Sequence, residues 1–407
     1  MNGLIYKLKE SPPAWLILGL LLTILGLMAL YSISLSEGVI TPSSRFFRQV
    51  VWLLPALGAY VVFLGIPRRM IHKYAYLAFL VTFGLLFVPY LSGPVAGTYR
   101  WISLGGLSFQ PSEIMKWVVV IALARYLSDY NLKITRIQTL FVPIILILIP
   151  ALVVARQPDI GSALILVAPI LPLLYWVGAR PLHIFLLIAP LVSVLTAFSY
   201  YTFTPWIVMV AVVLYLAKPR ILTGLANFFA NIFIGLLTPV MWGLLKPYQQ
   251  ERLLVLFNPT EDPQGAAYQI IQSQTAIGSG GFLGKGLTRG TQTHLKFLPE
   301  QETDFIFSVI GEELGFIVVS IILILFAVMV MDLIRHAFRS GERFSSLVLV
   351  GIATLFLCHI FVNIGMTINL LPVKGLPLPF MSYGGSFLVS CYAMIGLAGN
   401  MAVETPE

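Results

Sequence analysis

Long apolar runs alternate with short polar segments along the whole chain. An α-helix needs about 20 mostly apolar residues to cross the hydrocarbon of a bilayer. By that measure the pattern predicts twelve spans: 14–35, 48–66, 74–92, 112–128, 137–155, 160–178, 183–201, 203–217, 225–246, 304–333, 345–371 and 379–402. The eighth run is the shortest. No internal repeat stands out. The expected fold is an all-α polytopic membrane protein, a single transmembrane domain over 1–407, with one large loop at 246–304.

Composition agrees with the pattern. The 407 residues are 58% hydrophobic and only 10% charged, where soluble domains carry about 25% charged residues. That excludes a soluble enzyme, a secreted disulfide scaffold and a disordered protein. Both cysteines, Cys358 and Cys391, sit inside apolar runs and suggest neither a disulfide nor a metal site. No small-residue cleavage site follows the first run, which therefore reads as a retained span.

A net charge of +8 invites a nucleic-acid reading, until the charges are placed. Cytoplasmic loops of membrane proteins carry excess Lys and Arg. With the N-terminus inside, fourteen of the 25 Lys and Arg fall in inner segments, among them Lys7, Arg68, Arg69, Arg125, Arg180, Lys218, Arg220, Arg335 and Arg343. The cations thus report topology, with both termini cytoplasmic and no nucleic acid as partner. The 246–304 loop then lies outside. It holds Glu251, Glu261, Asp262, Glu300, Glu302 and Asp304. Long ordered loops are usually functional, so chemistry is expected on that face.

Ionisable residues at membrane depth are costly and are functional candidates by default. Glu113 and Lys116 open the fourth span three residues apart, on one helix face. They form either a charged cavity wall for an anionic substrate or a structural ion pair with Lys116 snorkelling outward. Asp159 is placed to cap the sixth span, and a cap can also line a cavity. Arg100 is either a phosphate ligand or a solvated side chain, and Trp101 either a site residue or an interfacial anchor. Lys374 is an isolated cation before the last span. The run Met381 to Ser386, with Ser382 and two glycines, brings backbone close to a neighbour. In the large loop Arg252 precedes Asp262, which Pro263 biases toward a turn; helical periodicity resumes near Tyr268. The run from Ile277 to Gly286 fails as a phosphate-binding Walker motif, because Gly286 follows Lys285 where Ser or Thr is required, and reads as a glycine-rich turn. His294 has no second His or Cys nearby to build a metal site.

Taken in order, these segments resemble the SEDS (shape–elongation–division–sporulation) family, typified by RodA and FtsW. The runs are YRW at 99–101, QPSEIMK at 110–116, QPDIG at 157–161, NPTEDP at 258–263, YQIIQS at 268–273, FLPE at 297–300, TDFIF at 303–307, GEELG at 311–315 and SYGG at 382–385. Three more stretches resemble the RodA branch: AIGSGG at 276–281, GTQ at 290–292, and VNIGMT at 362–367 with LPVKG at 371–375. The family usually has ten spans, so 183–220 reads as an extra hairpin.

The resemblance implies an inverting glycosyltransferase of the bacterial inner membrane. It would polymerise the lipid-linked disaccharide lipid II into peptidoglycan strands on the outer face during cell elongation. It implies Asp262 as catalytic base and a substrate site drawn from Arg100, Trp101, Glu113, Lys116, Asp159, Arg252, Lys374 and Ser382. It also implies a divalent cation, Mg²⁺ or Mn²⁺, at the pyrophosphate, and as partners a class B penicillin-binding protein and other elongation-complex proteins. Two rival readings are a lipid II flippase, for which the repeats common in transporters are missing, and a non-enzymatic scaffold.

Overall fold

The computed structural model describes residues 6–7, 10–36, 41–91, 98–104, 107–129, 132, 137–245, 250–251, 254–256, 267–295 and 297–403. Asp262 and Arg252 lie outside the described residues.

Every predicted span has a helix. Among the described residues, nine helical stretches are long and apolar enough to cross a membrane. They are α1 (Pro13–Ser36), α2 (Arg45–Gly65), α3 (Arg68–Leu85) extended by α4 (Val88–Leu91), α6 (Phe141–Arg156) after a 3₁₀ turn, α10 (Tyr200–Ala217), α11 (Ile221–Leu244), α14 (Ile306–Arg339), α15 (Arg343–Thr367) and α16 (Gly385–Ala402). Two shorter apolar stretches are α7 (Ile160–Val167) with α8 (Ile170–Trp176), broken at Pro169, and α9 (Pro181–Thr196). The remaining span is α5 (Pro111–Leu127), preceded by a hairpin of β1 (Ile102–Leu104) and β2 (Leu107–Phe109). In the large loop lie α12 (Tyr268–Gly280) and α13 (Thr291–His294). The last span begins later than the hydropathy suggests. Residues 379–384 are non-helical, with Phe380 at φ +65; Tyr383 N donates to the Glu302 carbonyl and Gly384 N to Gln49 Oε1 of α2.

Helix α5 is the axis of the bundle and is buried almost throughout. Trp117 donates to Ser390 Oγ at 2.9 Å, and Ser390 in turn donates to the Glu113 carbonyl at 3.0 Å. Small residues admit α16 to its neighbours, as is common where no hydrophobic force drives helices together in lipid. A Cβ on Gly396 would overlap the Tyr60 carbonyl, and one on Gly385 the Trp52 ring. Helices α2, α3, α6 and α14 present exposed Leu, Ile, Val and Phe outward, as a lipid-facing surface does. Helices α9 to α11 stand at the periphery with a small core of their own, Leu186, Ala189, Val210 and Leu214.

Polar contacts gather at the two ends. At one end Lys7 Nζ reaches Asn400 Oδ1 and the Ile66 carbonyl, both at 3.0 Å. There too Arg68 pairs with Glu342 at 3.5 Å and Trp176 donates to Ser346 at 2.8 Å. At the other end Arg45 pairs with Glu302, and Asn363 donates to the Asp304 and Leu376 carbonyls at 3.0 and 2.7 Å. Segments predicted to share a side of the membrane share an end of the bundle.

The large loop is bonded into the head of α14. That helix kinks at Gly315 (φ +76, ψ −178), which interrupts its backbone ladder. The glycine-rich turn supplies replacements: Lys285 N and Gly286 N donate to the Glu312 and Glu313 carbonyls at 3.0 and 2.9 Å, and Phe316 N donates to the Gly281 carbonyl at 2.9 Å. The approach requires glycine at 284, where φ is +78 and a Cβ would overlap the Glu313 carbonyl oxygen. Unpaired backbone groups are too costly in a membrane to leave unmatched.

Candidate functional site

Glu113 lies in the first turn of α5, where its charge suits the helix N-terminus. Lys116 follows on the same face, its Nζ 2.7 Å from Glu113 Oε1. The side chains are 5% and 3% exposed, so Lys116 does not snorkel. Two further groups explain why. His359 of α15 places Nε2 3.2 Å from Lys116 Nζ, and the Phe387 ring lies 5.6 Å from it. His359 is itself fixed, with Nδ1 3.3 Å from the Pro377 carbonyl. A buried ion pair with one polar satellite is strongly destabilised when one partner is lost, but often tolerates replacement of both.

Toward the loop end lies a second group. Asp159 caps α7, accepting from Ser162 N at 3.1 Å, and also accepts from Gln110 Nε2 at 2.9 Å. Arg100 lies 4.0 Å from Asp159 and donates to the Gln157 and Pro158 carbonyls. Asp159 is therefore both a cap and part of a charged cluster. The backbone around Lys374 packs on the same corner, since a Cβ on Gly161 would stand 2.8 Å from the Lys374 carbonyl. Arg100, Gln110, Glu113, Lys116 and Asp159 thus meet at one end of the bundle. Trp101 is half-buried beside Arg100.

Ser382 is placed differently. Its hydroxyl donates to the Thr303 carbonyl at 2.5 Å and accepts from Leu378 N at 2.8 Å. Both capacities are used in tying the segment before α16 to the loop, as is the bond from Tyr383 N to the Glu302 carbonyl at 2.8 Å.

Sequence reasoning passed over three participants. His359 is an ionisable residue inside an apolar span, which is the signal that singled out Glu113 and Lys116. Glu312 and Glu313, noted only as part of a motif, are fully buried. Glu312 accepts from Lys285 Nζ at 2.8 Å, from Thr291 Oγ1 and Gln292 N at 3.0 Å, and from Thr293 Oγ1 and N at 3.1 and 3.3 Å. Glu313 accepts from Ser32 of α1 at 2.5 Å. Glu312→Gln puts an amide where five donors converge and leaves Lys285 without its counter-charge. It should cost about 1–3 kcal/mol, seen as a lower unfolding temperature together with faster tryptic cleavage after Arg289. An unchanged cleavage rate would remove the anchoring role.

The FtsW/RodA/SpoVE model of "cell cycle protein" matches residues 13–207 and 200–407. This chain belongs to that family, the SEDS proteins. Escherichia coli K12 peptidoglycan glycosyltransferase MrdB, of the RodA branch, is 33% identical over 361 residues, 88% of this chain and 85% of the relative. Bacillus subtilis stage V sporulation protein E is 33% identical over 402 residues, 97% and 98% of the two chains. Among solved structures, a chain described under "Structural coordination of polymerization and crosslinking by a peptidoglycan synthase complex" superposes with TM-score 0.71, at 26% identity over 96% of this chain and 97% of the other. Thermus thermophilus rod shape determining protein RodA shares the fold, with TM-score 0.63 and 24% identity over 96% of each chain. The SEDS chain is thus a multi-pass membrane protein with the RodA-like fold. The junction between the two matched segments, at 200–207, falls within the α9–α10 hairpin region.

Proposed function

We propose that this SEDS protein is a peptidoglycan glycosyltransferase that polymerises lipid II on the outer face of the bacterial inner membrane during elongation, with both termini cytoplasmic. What carries the reading is that motif residues far apart in the chain, Arg100, Gln110, Glu113, Lys116 and Asp159, converge at the end of the bundle where the large loop docks, in a chain whose relatives include MrdB.

In the proposed reaction the acceptor's GlcNAc 4-hydroxyl attacks C1 of the donor's MurNAc. The Asp262 carboxylate takes the hydroxyl proton as the new C1–O bond forms. The bond from C1 to the pyrophosphate breaks, its electron pair leaves with undecaprenyl pyrophosphate, and the anomeric centre inverts. Charge develops on the leaving oxygen, and cations placed beforehand stabilise it. Arg100, Lys116, Arg252 and Lys374 are assigned to that role, with Glu113 and His359 positioning Lys116. Trp101 borders the substrate, Asp159 shapes the wall, and Ser382 holds the loop in register. Mg²⁺ or Mn²⁺, when bound, would supply positive charge at the pyrophosphate. Among the described residues no three His, Cys, Asp or Glu side chains stand together as a metal site, and Glu113 and Asp159 are already engaged. The partners proposed are a class B penicillin-binding protein with transpeptidase activity and the elongation complex.

The deciding experiment incubates the purified protein and its partner with fluorescent lipid II in detergent. Glycan strands on a gel require chemistry, because detergent offers no bilayer to cross. Their absence, with transport of lipid II by the protein in vesicles, would favour a flippase; absence of both would favour a scaffold.

A further inference from the structure

At the end of the bundle opposite the large loop, a cavity of about 600 Å³ opens between α9, α11 and the turn joining α10 to α11. Arg180, Lys218 and Arg220 line it, with His183, Gln138 and Thr223, and among the described residues no acidic side chain does. Its cations are exposed and take part in no ion pair among the described residues. Two helices begin at its wall. Arg180 precedes α9 and Arg220 precedes α11, neither start has a side-chain cap, and neither first turn holds an acid. Both therefore turn positive dipole ends toward it. A further feature asks for a ligand: His183 is 8% exposed and its Nδ1 has no hydrogen-bond partner. A buried polar atom without a partner is costly.

Adjoining this cavity is an apolar one of about 490 Å³ between α10 and α11, walled by Leu214, Tyr215, Ile221, Leu225 and Phe228. The two share Lys218 and Pro219. A cationic chamber opening onto an apolar groove between lipid-facing helices matches one class of molecule: a phosphate headgroup with its acyl chain.

We propose that this corner is a binding site for an anionic phospholipid, with the headgroup phosphate among Arg180, His183, Lys218 and Arg220 and an acyl chain along the α10–α11 groove. Basic pockets between transmembrane helices bind anionic headgroups in this way. Such a lipid would brace the peripheral α9–α11 unit, whose own core is small, against the bundle. The site is separate from the charged cluster assigned to catalysis and does not depend on that assignment.

The test uses the full-length protein purified in detergent, titrated with phosphatidylglycerol or phosphatidylcholine and read by native mass spectrometry. The expected result is one phosphatidylglycerol held roughly ten- to a hundred-fold more tightly than phosphatidylcholine. Arg180→Gln, Lys218→Gln and Arg220→Gln together should abolish the preference, while Arg335→Gln with Arg339→Gln keeps it. Lys218→Asn alone provides a milder variant. Residue 218 caps α10 at φ +44, a conformation asparagine tolerates, so the turn is kept while a charge is lost and the preference should fall about five-fold. Equal binding of the two lipids, or an unchanged preference in both the triple and the Lys218→Asn proteins, would overturn the site. Displacement of phosphatidylglycerol by millimolar inorganic phosphate would overturn the lipid assignment in favour of a small-anion site.

Discussion

Asp262→Asn protein, purified with its transpeptidase partner, should fold, remain monodisperse and yet make no detectable glycan strands from lipid II. The acceptor hydroxyl is a poor nucleophile while it holds its proton. A positioned base contributes about 10²–10⁴-fold to such a step, and an amide of the same shape cannot take the proton. Asp262 is the second of the two acids in the NPTEDP run, and the proline that follows biases it away from helix. The substitution therefore separates charge from shape, and initial rates of strand formation are the measurement. Polymerisation at the normal rate would show that the proton goes elsewhere.

The second large effect concerns the buried pair. Lys116→Met leaves the Glu113 carboxylate at 5% exposure without its counter-ion. Breaking one side of a buried pair costs about 3–5 kcal/mol, so the protein should unfold at distinctly lower temperature and lose activity. That result alone does not distinguish structure from function. Adding Glu113→Leu removes the orphaned charge, and apolar replacement of a whole pair is often neutral or stabilising. The double variant should regain thermal stability yet remain inactive in the lipid II assay. Recovery of both would reduce the pair to a structural element and shift the leaving-group role to Arg100, Arg252 and Lys374.

The spans were legible because apolar run length is a local property, and bilayer thickness sets it. Glu113 and Lys116 were legible because helical spacing puts them on one face. What held Lys116 inward was not, since His359 is 243 residues away in the chain and no local pattern brings it to α5. The Asp159 cap could be read from its position before an apolar run, but its bond to Gln110, across 49 residues, could not. The resemblance implies Ser382 in the substrate site, and no local pattern shows that its hydroxyl donates to the Thr303 carbonyl and accepts from Leu378 N. The glycine-rich run reads as a turn; its first four residues, 277–280, instead close α12, and 281–286 form the turn. Its bonding to the kink at Gly315 depends on a break in a helix that hydropathy draws as continuous.

The close fit of α16 against α1 and α2 has a consequence for biogenesis. Gly26 meets Met381, Gly396 meets Tyr60, and Lys7 reaches Asn400, so early segments of the chain are completed by much later ones. About 320 residues of synthesis separate the end of α2 from the start of α16, which at about 5–20 residues per second takes roughly 15–65 s. During that interval the surface that will receive the final helix is open to lipid or to an insertion chaperone. A nascent chain stalled before Gly385 would therefore present an unfinished seam to the membrane's quality-control proteases.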